Sequence, residues 1–207
     1  MKRFLIVAAC FFVVVSFFST AYADIGFKGG ITFAKWSGGN WENINEFSWK
    51  KGAELGAYYN FKVYKLLSLQ PEIFYSMKGA KHLFVGHDLE ERWSLNYIDI
   101  SVLSKLTIET GEPFKPIVFI GPYLGYLVNT KKGIKSGEES MSADLPDDIF
   151  KSTDMGLIFG GGFDFELDTV TYTLEARYSM GLTEVASEEE NSNIKNQTFT
   201  ILGSIMF

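Results

Sequence analysis

Apolar and polar residues alternate one by one through most of this chain, most clearly over 154–182, DMGLIFGGGFDFELDTVTYTLEARYSMGL. Met155, Leu157, Phe159, Gly161, Phe163, Phe165 and Leu167 share one parity; Gly156, Ile158, Gly160, Gly162, Asp164 and Glu166 share the other. After Asp168 and Thr169 the alternation resumes, with Tyr172, Leu174, Ala176, Tyr178, Met180 and Leu182 set against Thr171, Thr173, Glu175, Arg177, Ser179 and Gly181. Side chains alternate across a strand, so the stretch predicts two amphipathic β-strands joined by a tight turn. Each run exceeds the roughly 5–6 residues of an average strand and reaches the roughly 9–11 that a tilted strand needs to cross a bilayer.

The same pattern predicts six further strands. They are 25–36, 52–64, 66–83, 93–109, 115–130 and 197–207, which brings the total to eight. In 115–130 the alternation is weakest, because both parities carry apolar residues. Pro71 in the third strand cannot donate to a ladder and predicts a bulge. The connections after strands one, three, five and seven are long and polar, including 84–92, 131–153 and 184–196. Those after strands two, four and six are short: Lys65, the turn Thr110-Gly111-Glu112-Pro113, and Asp168-Thr169. This is the layout of an up-and-down transmembrane barrel, with long outer loops and short periplasmic turns. Trp36, Trp49 and Trp93 fall near the long-loop ends, and Tyr64, Phe114, Tyr172 and Phe207 near the short-turn ends, as two interfacial girdles would.

The polar parity sets the direction of the faces. It carries Lys28, Glu54, Lys62, Glu72, Lys78, Asp99, Lys105, Asp164, Glu166, Glu175 and Arg177. A soluble, lipocalin-like barrel would put these in water and crowd the aromatics of the other parity into a narrow bore. The reverse arrangement has mixed charges and glycines inside and apolar side chains toward lipid, where a Lys or Arg at the midplane costs roughly 2–4 kcal/mol. The candidate lumen network is Lys28, Glu54, Glu72, Lys105, Glu175 and Arg177, with Glu72, Glu175, Lys105 and Arg177 as its centre. Its bland role is to pin strand register and block the bore; its functional role would be a narrow ion path.

The start of the chain agrees with export. Met1-Lys2-Arg3 is basic, 4–18 is apolar except Ser16, and Ala21-Tyr22-Ala23 fits a cleavage site, so 1–23 is expected to be a signal peptide and 24–207 the barrel domain. Removing Lys2 and Arg3 takes the formal charge from −6 to −8, which argues against nucleic acid as a partner. Cys10, the only cysteine, leaves with the signal, so neither disulfides nor thiol chemistry are expected. Without an apolar helix after the signal, the mature chain can enter a membrane only as a closed barrel.

Read together, GFKGGITFAKW, LSLQPEIFYSMKGAK, NYIDISVLSKL, KPIVFIGPYLGYLV, DMGLIFGGGFDFEL, YTLEARYSMGLTEV and the final Phe resemble the bacterial outer-membrane β-barrel domain family often labelled porin family. The resemblance implies an outer-membrane barrel in a Gram-negative bacterium. Phe207 resembles the terminal aromatic that the barrel assembly machinery reads. No common activity is implied, because such families share architecture rather than chemistry. With eight strands, the bore is normally filled by side chains, and wide channels appear at about 16.

Catalytic signals are sparse. His82 and His87 are the only histidines; His82 with Ser76 or Ser94 is the one imaginable pair, and no motif supports it. There is no zinc spacing, and Gly160-Gly161-Gly162 lies in a strand rather than a nucleotide loop, so thin packing or a kink in the wall is expected there. The acidic residues Glu138, Glu139, Asp144, Asp147, Asp148, Glu188, Glu189 and Glu190 suit either a solvated loop surface or divalent cations beside lipopolysaccharide. The sequence thus predicts an all-β, eight-stranded antiparallel up-and-down transmembrane barrel in the outer membrane, monomeric and without cofactor, metal or catalytic residues. Its partners would be outer-membrane lipid, lipopolysaccharide and the assembly machinery. Its role would be structural or surface interaction, with a narrow channel as the alternative and a lipid-modifying enzyme as the lesser one.

Overall fold

Ten strands form in chain order in the computed structural model, which describes residues 23–38, 47–84, 89–111, 113–136, 139–144, 149–186 and 194–207. They are β1 (Ala23–Ser37), β2 (Phe47–Ser48), β3 (Lys50–Tyr64), β4 (Leu67–Phe84), β5 (Leu89–Thr107), β6 (Phe114–Ser136), β7 (Glu139–Asp144), β8 (Thr153–Leu167), β9 (Val170–Gly181) and β10 (Lys195–Met206). Eight of them close a ring in the order β1-β3-β4-β5-β6-β8-β9-β10, every pair antiparallel, and β10 returns to β1 with Ile31 opposite Ile201. Closure leaves no open edge in the ring, which is what lets strands cross lipid. The candidate signal 1–23 lies outside the described residues apart from Ala23, which opens β1.

The two parities separate as the alternation predicts. Leu55, Tyr59, Ile73, Ile120, Phe159, Leu174 and Ile201 are exposed on the outer wall, Leu55 to 68 %. Lys28, Glu54, Glu72, Asp99, Lys105, Asp164, Glu175 and Arg177 are buried inside. The weak alternation of the fifth candidate strand has a physical source: Ile117, Phe119 and Tyr123 of β6 point inward and form an interior apolar cluster with Leu103 and Ile158. The short turns lie where expected, at residues 65–66, 108–111 and 168–169. Asp168 takes a left-handed φ of 54°, which an Asp side chain tolerates.

Four expectations need correction. The β4–β5 ladder runs without a break past Pro71, opposite Val102, so there is no bulge there. The β3–β4 register shifts at Lys62/Tyr64 instead, and β5–β6 shifts at Asn96/Tyr97. The long connection 131–153 is in part a hairpin, because Lys131–Ser136 of β6 pair with β7. Likewise Phe84 and 89–92 of that second connection are strand, and β4 and β5 pair all the way to Phe84 and Leu89. Finally, Trp36 does not belong to a lipid-facing girdle. It has the inward parity of Lys28 and Thr32 and is buried in a cluster with Ala80, Leu95, Tyr97, Phe150 and Val185, against which Trp93 packs. Trp49 is exposed on the wall, as are Tyr64, Phe114, Tyr172 and Phe207 at the other end.

Candidate functional site: the filled lumen

Inward parity alone sends a charged residue of nearly every strand into one bore, so charges must pair there or be lost to desolvation. The central layer does this with four residues from three strands. Lys28 of β1 lies 2.8 Å from Glu72 Oε1 and 2.9 Å from Glu175 Oε2. Arg177 Nη1 donates to Glu72 Oε2 at 3.0 Å, and Nη2 also donates to Glu175, its neighbour on the same face of β9. Gln70 Nε2 and Ser101 Oγ also donate to the Glu72 carboxylate, at 2.7 and 3.2 Å. The Arg177 guanidinium is held between the rings of Phe74 and Phe119, with centroids at 5.0 and 5.6 Å. Two cations therefore balance two carboxylates, and rings occupy the remaining cross-section.

The other candidates sit apart from this layer. Lys105, which the sequence places at the centre of the network, pairs with Asp164 at 2.7 Å, and Thr173 Oγ1 donates to the same carboxylate at 2.7 Å. Lys28 takes the central place instead. Glu54 accepts from Thr200 Oγ1 at 3.3 Å, and Thr200 shares a 2.8 Å bond with Thr32. Beside it a cavity of about 10 Å³ is lined by Glu54, Ser76, Asp99, Ser101 and Arg177, room for about one water. Such a water can serve Arg177 Nε, which is buried and has no partner among the described residues.

Sequence reasoning missed a third layer. Lys78 lies 3.0 Å from Asp99 and 3.1 Å from Asp154, while Tyr123 and Asn196 each donate to Asp154 Oδ2 at 3.1 Å. Asp154 thus ties β4, β6, β8 and β10 together. Its parity with Asp164 was the available signal. Above it, Trp36, Trp93 and Phe150 meet with centroids 6.0 Å apart. At the opposite end, a vestibule of about 100 Å³ opens between Lys62, Ser68, Lys105, Thr107, Glu109 and Glu166.

The remaining candidates are dispersed. His82 of β4 pairs across to Glu91 and Phe47, six residues along the strand from Ser76. His87, Glu138, Asp147, Asp148, Glu188, Glu189 and Glu190 lie outside the described residues. Gly160 and Gly162 face inward in a regular β8 ladder, with Phe119 directly opposite Gly160, so this triplet is thin packing rather than a kink. Phe207 is exposed, and its N–H donates to Ile25 O at 3.0 Å.

An eight-stranded closed barrel with an apolar outer wall and a charged, filled interior is a transmembrane barrel of the outer-membrane class. The chain belongs to the family of outer membrane protein β-barrel domains, whose profile matches residues 17–187, and its place is the bacterial outer membrane. The sequence matches none of the curated proteins. Among solved structures it is similar to Neisserial surface protein A, at 14 % identity over 89 % of this chain and 97 % of that one, TM-score 0.47. It is also similar to the attachment invasion locus protein of Yersinia pestis, at 12 % identity over 89 % and 99 %, TM-score 0.42. A major outer membrane protein from Thermus thermophilus aligns at 10 % identity over 88 % and 99 %, TM-score 0.48.

Proposed function

We propose that this protein is a rigid, closed barrel that presents an interaction surface outside the cell, with neither a channel nor a catalytic role. The observation that carries this reading is the obstruction of the bore at successive levels: the Trp36–Trp93–Phe150 layer, the Asp154 layer and the Lys28–Glu72–Glu175–Arg177 layer. The internal space beside the central layer holds about one water. What projects instead is a ribbon. β5 and β6 have 19 and 23 residues, well beyond the roughly 9–11 that span a bilayer, and β7 widens their outer ends. Ile134 and Met141 are opposite each other on that ribbon and exposed.

The test is single-channel recording of the purified full-length protein in planar bilayers. Silence at protein levels that give a heat-modifiable band supports the closed barrel; discrete steps overturn it in favour of a narrow ion path entered from the 100 Å³ vestibule. In the same reading the protein acts as a monomer, and Phe207, at the lipid-facing end of the β10 side, is what the assembly machinery engages. Phe207→Ala then slows insertion without changing the properties of the barrel that does insert.

A further inference from the structure

At the short-turn end, which in this architecture faces the periplasm, the bore widens into the vestibule of about 100 Å³. Inward parity brings a polar row to it. Lys62 of β3 is opposite Ser68 of β4, and Ser68 is opposite Lys105 of β5. Neighbouring strands lie about 4.8 Å apart, so a hydroxyl sits midway between two strands that each carry an ammonium group. Asn60, two residues deeper than Lys62 on the same parity, lines the same space.

These side chains have hydrogen-bonding capacity that the protein leaves unmet. Asn60 is 4 % and Ser68 6 % exposed, yet among the described residues neither the Asn60 amide nor the Ser68 hydroxyl has a partner. Buried polar groups are normally satisfied, so two unmet ones beside a cavity point to an occupant. Lys105 spends one of its three N–H groups, on Asp164 at 2.7 Å. The open groups that reach the cavity are therefore donors: Lys62, Ser68, Lys105 and the Asn60 Nδ2. The lining carboxylates are mostly committed. Asp164 holds Lys105, and Glu109 and Glu166 share Lys115 at 2.9 and 2.8 Å. Lys62 and Lys65 have no carboxylate among the described residues, against Asp24 alone without a cation. That balance admits one negative charge. The Glu109–Lys115–Glu166 group keeps a net charge of −1 at the rim, which disfavours entry of a dianion.

We infer that the vestibule is a periplasm-facing binding site for a small monocarboxylate, whose two oxygens accept from Lys62, Ser68, Lys105 and Asn60. Two sources share this chemistry: a free small acid and the carboxyl end of a peptide chain. Because the central ion layer lies above the site, the ligand enters and leaves on the same side. That last point rests on the closed-barrel reading, but binding itself does not.

The test uses the folded, ¹⁵N-labelled protein purified from the outer membrane, in phosphatidylcholine nanodiscs at neutral pH. The side-chain NH₂ signal of Asn60, assigned by its loss in Asn60→Leu, is followed by NMR during titration with acetate, trialanine, trialanine amide or inorganic phosphate. Acetate and trialanine are expected to shift it saturably, with the amide and phosphate much weaker. Tighter binding of trialanine assigns the site to a chain end, and tighter binding of acetate to a free acid. Lys62→Gln/Ser68→Ala should weaken binding roughly fiftyfold, tenfold for a buried hydrogen bond to a charged group and fivefold for an exposed ion pair. Should that variant lack heat-modifiable migration, Ser68→Ala alone is read, with a loss of roughly tenfold. Lys151→Ala, at the other end of the barrel, should bind like wild type. The inference is overturned if no saturable shift appears, if trialanine amide or phosphate binds as well as the carboxylates, if the substituted vestibule binds like wild type, or if Lys151→Ala is equally damaging.

Discussion

Phe119 and Gly160 face each other across the β6–β8 ladder, and the ring covers the glycine so closely that a Cβ there would come within 2.7 Å of it. The same pairing recurs in the bore: Tyr58 with Gly26, Phe74 with Gly56 and Tyr123 with Gly156 are all direct cross-strand partners. An aromatic over a strand glycine compensates for the missing side chain. Here it also brings rings into a narrow interior that has no depth for them otherwise, and two of those rings hold Arg177.

Gly160→Val therefore should destabilise the folded barrel by roughly 1–3 kcal/mol, the usual cost of overpacking. The new Cβ meets the carbonyl of Ala176 as well as the ring, and backbone cannot swing away. Gly203→Ala is the matched control. Nothing lies within 4 Å of a Cβ there, and the residue faces lipid. It should be neutral, or stabilising by about 0.4–1 kcal/mol through the unfolded chain. Urea unfolding of both variants in detergent micelles or lipid measures the difference; equal effects would refute the ring-over-glycine account.

The central ion layer makes a prediction about balance rather than about bonds. Arg177→Met leaves Glu72 and Glu175 with Lys28 alone, and removing one partner from a buried charge network costs roughly 3–5 kcal/mol. Adding Glu72→Gln restores one cation to one carboxylate, with the 2.9 Å Lys28–Glu175 pair intact. The double variant should be more stable than Arg177→Met by at least about 1 kcal/mol, within the range of coupling energies for residues in one network. A double variant whose loss is the simple sum of the two singles would show that the layer is not coupled.

Outside the bore, the same kind of contact should matter little. Lys151 and Glu184 form a 3.0 Å pair between the connections on either side of the β8–β9 hairpin, but their side chains are 42 % and 43 % exposed. Lys151→Ala is expected to change unfolding by less than about 1 kcal/mol, and added salt should erase even that. A larger loss would mean that this pair holds the Phe150 region over the lumen.

Parity made the wall and the lumen legible: every charged residue from Lys28 to Arg177 named for the central network faces inward, because a strand offers only two directions. Trp36 was legible on the same basis, since it shares parity with Thr32, but a tryptophan near a strand end fits an interface equally well by composition. What parity cannot give is height. Whether Lys28 or Lys105 meets Glu72 and Glu175 depends on strand stagger around the closed ring. That stagger is fixed by long-range registers such as Gly26 with Met206 and by the shift at Asn96/Tyr97. The outer strand extensions were hidden for another reason. At the outer ends of β5, β6 and β7 no side chain on either face is buried among the described residues, so the alternation that marks a strand fades.

Height also decides how the bore is closed. Trp36 and Phe150 pack together at the outer end, with the Lys78–Asp99–Asp154 layer below them and Arg177, Phe74 and Phe119 below that. Trp36→Ala/Phe150→Ala should therefore remain silent in planar bilayers, with heat-modifiable migration confirming that it folds despite losing roughly 3–5 kcal/mol per large aromatic. Adding Lys78→Ala and Tyr123→Ala for the Asp154 layer, and Arg177→Ala and Phe119→Ala for the central layer, removes both remaining levels, frees Glu72 and Glu175 to face water, and joins the space beside Glu54 to the vestibule at Lys105. Steps should then appear, and they should favour cations, because the deletions leave carboxylates in excess along the path. If the first variant already conducts, the aromatic layer alone closes the barrel and the central ion layer serves only to hold the strands in register.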